Sequence, residues 1–204
     1  MKDSSSQRIV LASGNAGKLK EFQSLLAGAG IDVVAQSEFD VPDADETGLS
    51  FVENAIIKAR HACQLTGLPA IADDSGLEVD ALLGKPGIYS SRFAGVDGAD
   101  KDAANNHKLL NSLEGLSQSE RTARFQCVLV YMRHADDPTP LICQGSWEGL
   151  ILHQPAGDSG FGYDPLFYVP EKDCASAQLD KAEKNAISHR GKAMRQLLAL
   201  LQSR

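Results

Sequence analysis

The sequence predicts an α/β fold built around a mixed β-sheet, and separate stretches carry that prediction. The chain opens with an apolar run, Ile9-Val10-Leu11-Ala12, then a loop of small residues, Ser13-Gly14-Asn15-Ala16-Gly17, then a helical segment. A second apolar run, Ala70-Ile71-Ala72, follows a well-signposted helix, and the middle from Arg124 to Leu152 is rich in strand-forming residues. Helices interleaved with short apolar strands are the pattern of α/β packing.

The first helix runs from Lys18 through Leu26, with Leu19, Phe22, Leu25 and Leu26 at the spacings of one helical face. Gly28 and Gly30 stop it, and Ile31-Asp32-Val33-Val34 reads as the next strand. Ser50 and Glu53 have capping-box spacing and open a second helix. In it Val52, Ala55, Ile56, Ala59, Ala62 and Cys63 form one apolar stripe, and Gly67 and Pro69 close it. Asn54 and Lys58, four apart, project together on another face. Arg124 to Arg133 is apolar on both alternating faces at its centre, as a covered strand should be. A turn at Ala135-Asp136-Asp137-Pro138 leads on to Leu141-Ile142-Cys143, Trp147 and Leu150-Ile151-Leu152. Asp180 and Glu183 repeat the capping pattern, and Ser188 stands where it can cap a last helix buried through Met194, Leu197, Leu198 and Leu201.

With 204 residues, 43% hydrophobic and 23% charged, the composition is that of a globular chain and not of a disordered one. Its length suits one domain spanning 1–204, with residues 1–7 expected to be a flexible tail. No apolar run approaches the roughly 18 residues of a membrane helix. The first residues lack a signal-peptide core, so a cytoplasmic setting is expected. Cys63, Cys127, Cys143 and Cys174 form no close-spaced pair and no zinc pattern, and read as reduced thiols. A net charge of −7 argues against nucleic acid as a partner, because that binding rests on neutralising phosphates with Lys and Arg. A polyanionic ligand would have to meet a local cluster of cations or a metal.

Taken singly, the polar segments leave alternatives open. The loop Ser13 to Gly17 offers backbone N–H groups and a helix start to a phosphate, with Lys18 as a point charge, or is an ordinary strand-to-helix turn. It is no Walker A loop, since Ala12 and Leu19 stand where Gly and Ser or Thr would be needed. Asp73-Asp74-Ser75-Gly76 would place carboxylates at a strand's carboxyl end, where α/β ligands bind, or form an Asx turn. Asp45-Glu46-Thr47-Gly48 is a second acidic turn. Phe161 and Tyr163 sit among glycines, where they offer an aromatic face to a base or tuck into the core. Ser188-His189-Arg190-Gly191 pairs a histidine with a rigid donor fork, or is simply a capped helix start.

Read together, the segments are far more specific. Ser13-Gly14-Asn15-x-x-Lys18, Asp45-Glu46-Thr47-Gly48, Glu53-Asn54-Ala55-x-x-Lys58-Ala59 and Ala72-Asp73-Asp74-Ser75-Gly76-Leu77 occur in that order. Pro86-Gly87-Ile88-Tyr89-Ser90-Ser91-Arg92, Phe161-Gly162-Tyr163-Asp164-Pro165 and Ile187-Ser188-His189-Arg190-Gly191-Lys192-Ala193 follow. The series resembles the inosine and xanthosine triphosphate pyrophosphatases, which destroy non-canonical purine nucleotides, and is most similar to their bacterial dITP/XTP members. The likeness runs from about residue 8 to the C-terminal helix.

That resemblance implies an elongated α/β fold with two lobes, a central mixed sheet, a cleft between the lobes, a homodimer and a requirement for Mg²⁺. It implies cleavage between the α and β phosphates. Carried over by residue, Ser13, Gly14, Asn15, Ala16, Gly17, Lys18 and Lys58 would bind the triphosphate. Asp74 would be the catalytic carboxylate and a metal ligand, Glu46 its metal partner, and Ser75 a substrate contact. Phe161, Gly162, Tyr163, Asp164, Lys184, His189 and Arg190 would surround the nucleoside. Ser13 stands where many relatives carry Thr, which keeps the hydroxyl. Ser91 replaces the more usual Ala, and Arg92 beside it is given no role. A pyrophosphatase for another modified nucleotide and a silent nucleotide-binding regulator are the alternatives.

Overall fold

The computed structural model describes residues 7–26 and 30–203. The expected stop at Gly28 and most of the expected tail lie outside these residues; Gln7 is already the first residue of a strand. The strands are β1 (Gln7–Leu11), β2 (Ile31–Ala35), β3 (Ala70–Val79), β4 (Thr122–Met132), β5 (Leu141–Ile151), β6 (Phe167–Val169) and β7 (Cys174–Ala175). The helices are α1 (Ala16–Leu26), α2 (Phe51–Thr66), α3 (Lys101–Ser112), α4 (Lys181–Ile187) and α5 (His189–Gln202). Among the described residues the strands make one sheet in the order β2-β1-β3-β4-β5-β6-β7. β1 runs parallel to β2, from Gln7 opposite Ile31 to Leu11 opposite Ala35, and parallel to β3 at Val10 and Leu11. β5 with β6 and β6 with β7 are antiparallel, so the sheet is mixed, as the sequence predicts.

The chain divides into two compact units, each assembled from separated segments. The first comprises residues 1–74, 128–144 and 191–204. Its core joins Val10, Val34, Ala70, Ala72, Val128, Val130 and Met132 of the strands, with Ala12 just beyond β1, to Ala55, Ala59, Ala62 and Cys63 of α2. Alanines along this face let α2 lie close to its strands. Ser50 caps the helix by accepting the Glu53 N–H, and Gly67 ends it at φ +68°, a conformation that costs glycine little. The turn before β5 is organised by buried Asp137, which accepts the backbone N–H groups of Arg133 and Thr139 and a forked contact from the Arg133 guanidinium.

The second unit comprises residues 75–127 and 145–190. An aromatic cluster holds it: Phe125 lies 4.5 Å from Phe167, and Trp147 5.1 Å from Phe167, between ring centroids. β5 alternates buried and open residues along its length, which turns Trp147 inward. Gly149 is required there, because a Cβ would sit 2.4 Å from the Tyr168 carbonyl oxygen. Arg121 is buried; its guanidinium donates to the carbonyls of Leu113, Ile151 and Leu152 and meets His153 Nδ1. Ser188, in an extended conformation, ends α4 immediately before α5 begins at His189.

One expectation is corrected. Asp73-Asp74-Ser75-Gly76 is neither a turn nor the carboxyl end of a strand, since β3 continues through it to Val79. Apolar residues buried on both sides, Ala70 to Ala72 and then Leu77 and Val79, keep the backbone extended. Lysine contacts to both aspartates remove the need for a local Asx turn.

Candidate active site

In the first unit, the loop after β1 is ordered by its own side chains. Ser13 Oγ accepts the Asn15 N–H, and Asn15 Oδ1 accepts the N–H groups of Gly17 and Lys18 at 2.8 and 3.0 Å. Asn15 therefore caps α1 and covers two of the amides that a phosphate would otherwise meet. Lys18 leaves the first turn of α1 and reaches β3, where its Nζ lies 2.5 Å from Asp73 Oδ1.

The second lysine organises a denser cluster. Lys58 Nζ donates to Asp74 Oδ1 at 2.6 Å, to the Asp73 carbonyl at 2.9 Å and to Glu46 Oε1 at 3.0 Å. Alternation along β3 sends the neighbouring carboxylates of Asp73 and Asp74 to different lysines. Glu46 is delivered by an acidic turn stapled to α2: Asn54 Oδ1 accepts the Gly48 N–H, and Glu53 Oε2 accepts from Leu49 N–H and Ser50 Oγ. The staple leaves no room for a side chain, since a Cβ on Gly48 would lie 2.5 Å from Glu53 Cβ and 2.7 Å from Asn54 Oδ1.

The electrostatics of the cluster follow from burial opposed by charge. Burial alone would lower the Lys58 pKa, but Asp74 and Glu46 outweigh it and raise the value above that of an ordinary lysine. Asp74 moves up as well, because burial outweighs the attraction of Lys58, and Glu46 adds to the rise. Lys58 stays an ammonium while Asp74 becomes more basic than a solvated aspartate. Asp74 Oδ2 is buried and has no hydrogen-bond partner among the described residues. A carboxylate with one oxygen on a cation and the other unengaged suits holding a second cation or accepting a proton. No group of three or more His, Cys, Asp or Glu able to hold a metal occurs among the described residues.

The second unit gathers the other expected residues. Arg190, buried, donates from Nη2 to Ser75 Oγ at 3.0 Å. His189 is buried as well and stacks on Phe125, with centroids 4.8 Å apart and planes 15° from parallel. Phe161 stays 37% exposed, with the Arg190 guanidinium carbon 6.0 Å and Lys184 Nζ 5.5 Å from its ring centroid. Asp164 is buried and fully occupied: it accepts Lys184 Nζ and the Phe161 N–H on Oδ2, and Ser176 Oγ on Oδ1. Gly160 must be glycine twice over, at φ +84° and with its missing Cβ pointed 2.2 Å from Asp164 Oδ2. Tyr163 is tucked into the core with its hydroxyl on the Ser90 carbonyl, so its ring is a packing element. Burial, with a smaller push from the Asp102 charge, raises its phenol pKa well above the ordinary value, so it stays a donor.

Each unit thus collects one half of the expected residues. Ser13 to Lys18, Glu46, Lys58 and Asp74 lie in the first; Ser75, Phe161 to Asp164, Lys184, His189 and Arg190 lie in the second. Asp74 and Ser75, one from each set, are consecutive in β3. The sequence reading missed Asp102 and Asn106, whose side chains hold the peptide of Gly162. Their i, i+4 spacing on a polar helix was the available signal. It also passed over Asn54 as more than a neighbour of Lys58.

Fold and site define an α/β protein with a lysine–carboxylate cluster set on a central strand. The chain belongs to the Ham1 family, whose model matches residues 9–200. It is 63% identical over 194 residues to the dITP/XTP pyrophosphatase of Photobacterium profundum, covering 95% of this chain and 98% of that one. It is 60% identical to the dITP/XTP pyrophosphatase of Vibrio cholerae, covering 96% and 97%. Among solved structures, a HAM1 protein from Coxiella burnetii superposes with a TM-score of 0.89 at 54% identity, covering 97% of this chain and all of that one. A nucleoside-triphosphatase/dITP/XTP pyrophosphatase from Mycobacterium abscessus gives 0.74 at 40% identity, covering 96% and 100%.

Proposed function

We propose that this protein hydrolyses non-canonical purine nucleoside triphosphates, ITP, dITP and XTP, to the monophosphate and pyrophosphate, clearing damaged nucleotides from the precursor pool. The names carried by its relatives support the substrate class. The observation that carries the chemistry is Asp74, buried, raised in pKa, with one oxygen on Lys58 and the other unengaged.

The residues present fit a divalent cation held as Mg²⁺ is usually held, by one or two carboxylates with substrate phosphates and water completing the shell. Glu46 and Asp74 would be its ligands, and the orphaned Asp74 Oδ2 is the atom best placed to take one. When bound, the ion would screen phosphate charge and stabilise departing pyrophosphate. Lys18 and Lys58, released from part of their present pairing, would meet the triphosphate with the loop from Ser13 to Gly17. Asp74 would orient the attacking water and take its proton, for which a raised pKa is an advantage. Phe161 would stack on the base, while Arg190 and His189 present donors to a keto group and Lys184 helps to offset the triphosphate's charge. The loop backbone supports this division of labour: the N–H groups of Phe161 and Gly162 are already given to Asp164 and Asp102. A homodimer and a cytoplasmic setting belong to the same reading; no helix among the described residues is long and apolar enough to cross a membrane.

Hydrolysis of ITP in ¹⁸O-labelled water tests the bond cleaved. Label in the inosine monophosphate supports attack at the α-phosphorus. Label in pyrophosphate, or release of orthophosphate, overturns the assignment.

A further inference from the structure

Tyr163 anchors the aromatic loop in the core, but packing does not cover Phe161. Phe161 is 37% exposed, and Gly162 next to it adopts φ +62°. What fixes this peptide is α3. Asp102 Oδ2 accepts the Gly162 N–H at 2.8 Å, and Asn106 Nδ2 donates to the Gly162 carbonyl at 2.8 Å. The two side chains are one helical turn apart and so share a face of α3. Together they take both hydrogen-bonding groups of one residue.

α3 is itself anchored. Asn105, buried, accepts the Ala94 N–H and donates to the carbonyls of Ser90 and Ser91. The same Ser90 carbonyl receives the Tyr163 hydroxyl, which ties the loop to this anchor a second time. The Phe161 ring is thereby held at a set place from Lys184 and Arg190.

We infer that Asp102 and Asn106 are positioning residues for the nucleoside, setting the Phe161 platform through the Gly162 peptide while touching no substrate themselves. The inference rests on the proposed function. It also assigns Asp102 a second consequence: by occupying the Gly162 N–H, its carboxylate denies that donor to a base.

The test separates the nucleoside from the phosphates. Inosine monophosphate and inorganic triphosphate are titrated calorimetrically, with Mg²⁺, into wild type, Asp102→Ala, Asp102→Asn and Asn106→Ala. Asp102→Ala and Asn106→Ala should each weaken inosine monophosphate about tenfold, as expected for loss of one hydrogen bond to a charged or buried partner. Inorganic triphosphate should change less than about twofold. Asp102→Asn keeps an acceptor for the Gly162 N–H and should recover most of the loss. In turnover, the alanine variants should raise KM for ITP with kcat nearly unchanged. Equal weakening of both probes, or undiminished inosine monophosphate binding by both alanine variants, overturns the inference alone. Wild-type protein that binds neither probe overturns the proposed function and takes the inference with it.

Discussion

Lys58 Nζ stands 2.6 Å from Asp74 Oδ1, while the other oxygen of the same carboxylate is buried and has no hydrogen-bond partner among the described residues. The lysine holds the carboxylate in place without exhausting it. Asp74→Asn preserves the shape of that contact and removes its charge. Turnover of ITP should fall at least about 10²–10⁴-fold, the usual cost of losing a general base, with the circular dichroism spectrum unchanged. Activity within about threefold of wild type would move the role to Asp73, whose carboxylate is paired to Lys18.

Gly48 gives a way to disturb Glu46 without altering a charge. Any Cβ there runs into Glu53 and Asn54, so Gly48→Ala must displace the acidic turn. The Mg²⁺ concentration for half-maximal activity should rise about 10–100-fold, as for other residues that orient a metal ligand. An unchanged requirement would remove Glu46 from the metal set.

Base choice is assigned to side-chain donors near Phe161. Arg190→Ala should lower the ITP-to-ATP ratio of kcat/KM, because an adenine amino group no longer faces opposed donors. Each unsatisfied buried group costs roughly 1–3 kcal/mol, so a change of tenfold or more is expected. Phe161→Ala should weaken both substrates together, since stacking does not distinguish purines. Steady-state kinetics with both nucleotides decide the matter; an unaltered ratio in Arg190→Ala excludes it as the discriminator.

Asp137 supplies a stability prediction independent of catalysis. Contacts from the Arg133 guanidinium, aided by backbone N–H groups of Arg133 and Thr139 and opposed by burial, hold its pKa far below the ordinary value. A depressed carboxylate stabilises the fold fully above its unfolded pKa of about 3.9, and that contribution is lost as pH falls toward the folded value. Asp137→Asn should therefore lower the urea midpoint at pH 7, with the gap from wild type starting to narrow only as pH falls below about 4. A gap independent of pH would assign the effect to the lost shape of the contact.

Much of this was legible in the sequence for identifiable reasons. The α2 cap at Ser50, its stop at Gly67 and its alanine face all follow from local chemistry, and all appear as read. The first helix begins two residues before Lys18, because Asn15 caps it earlier than the apolar spacing suggests. The end of β3 is not legible locally: acidic residues beside glycine imply a turn, and the lysines from α1 and α2 make an extended path tolerable. The inward turn of Tyr163 depends on contacts far apart in sequence, and the i, i+4 spacing of Asp102 and Asn106 says that they share a helix face but not that Gly162 is what they hold.

The most direct measurement is pyrophosphate release from ITP, XTP, ATP and GTP by the wild-type protein, with and without Mg²⁺. The expected result is kcat/KM for ITP and XTP about 10²–10⁴-fold above that for ATP, and loss of all turnover without the metal. Guanine shares the 6-keto group, so GTP should fall below ITP only through its 2-amino group. Equal rates across the four nucleotides, or release of pyrophosphate from none, would contradict it.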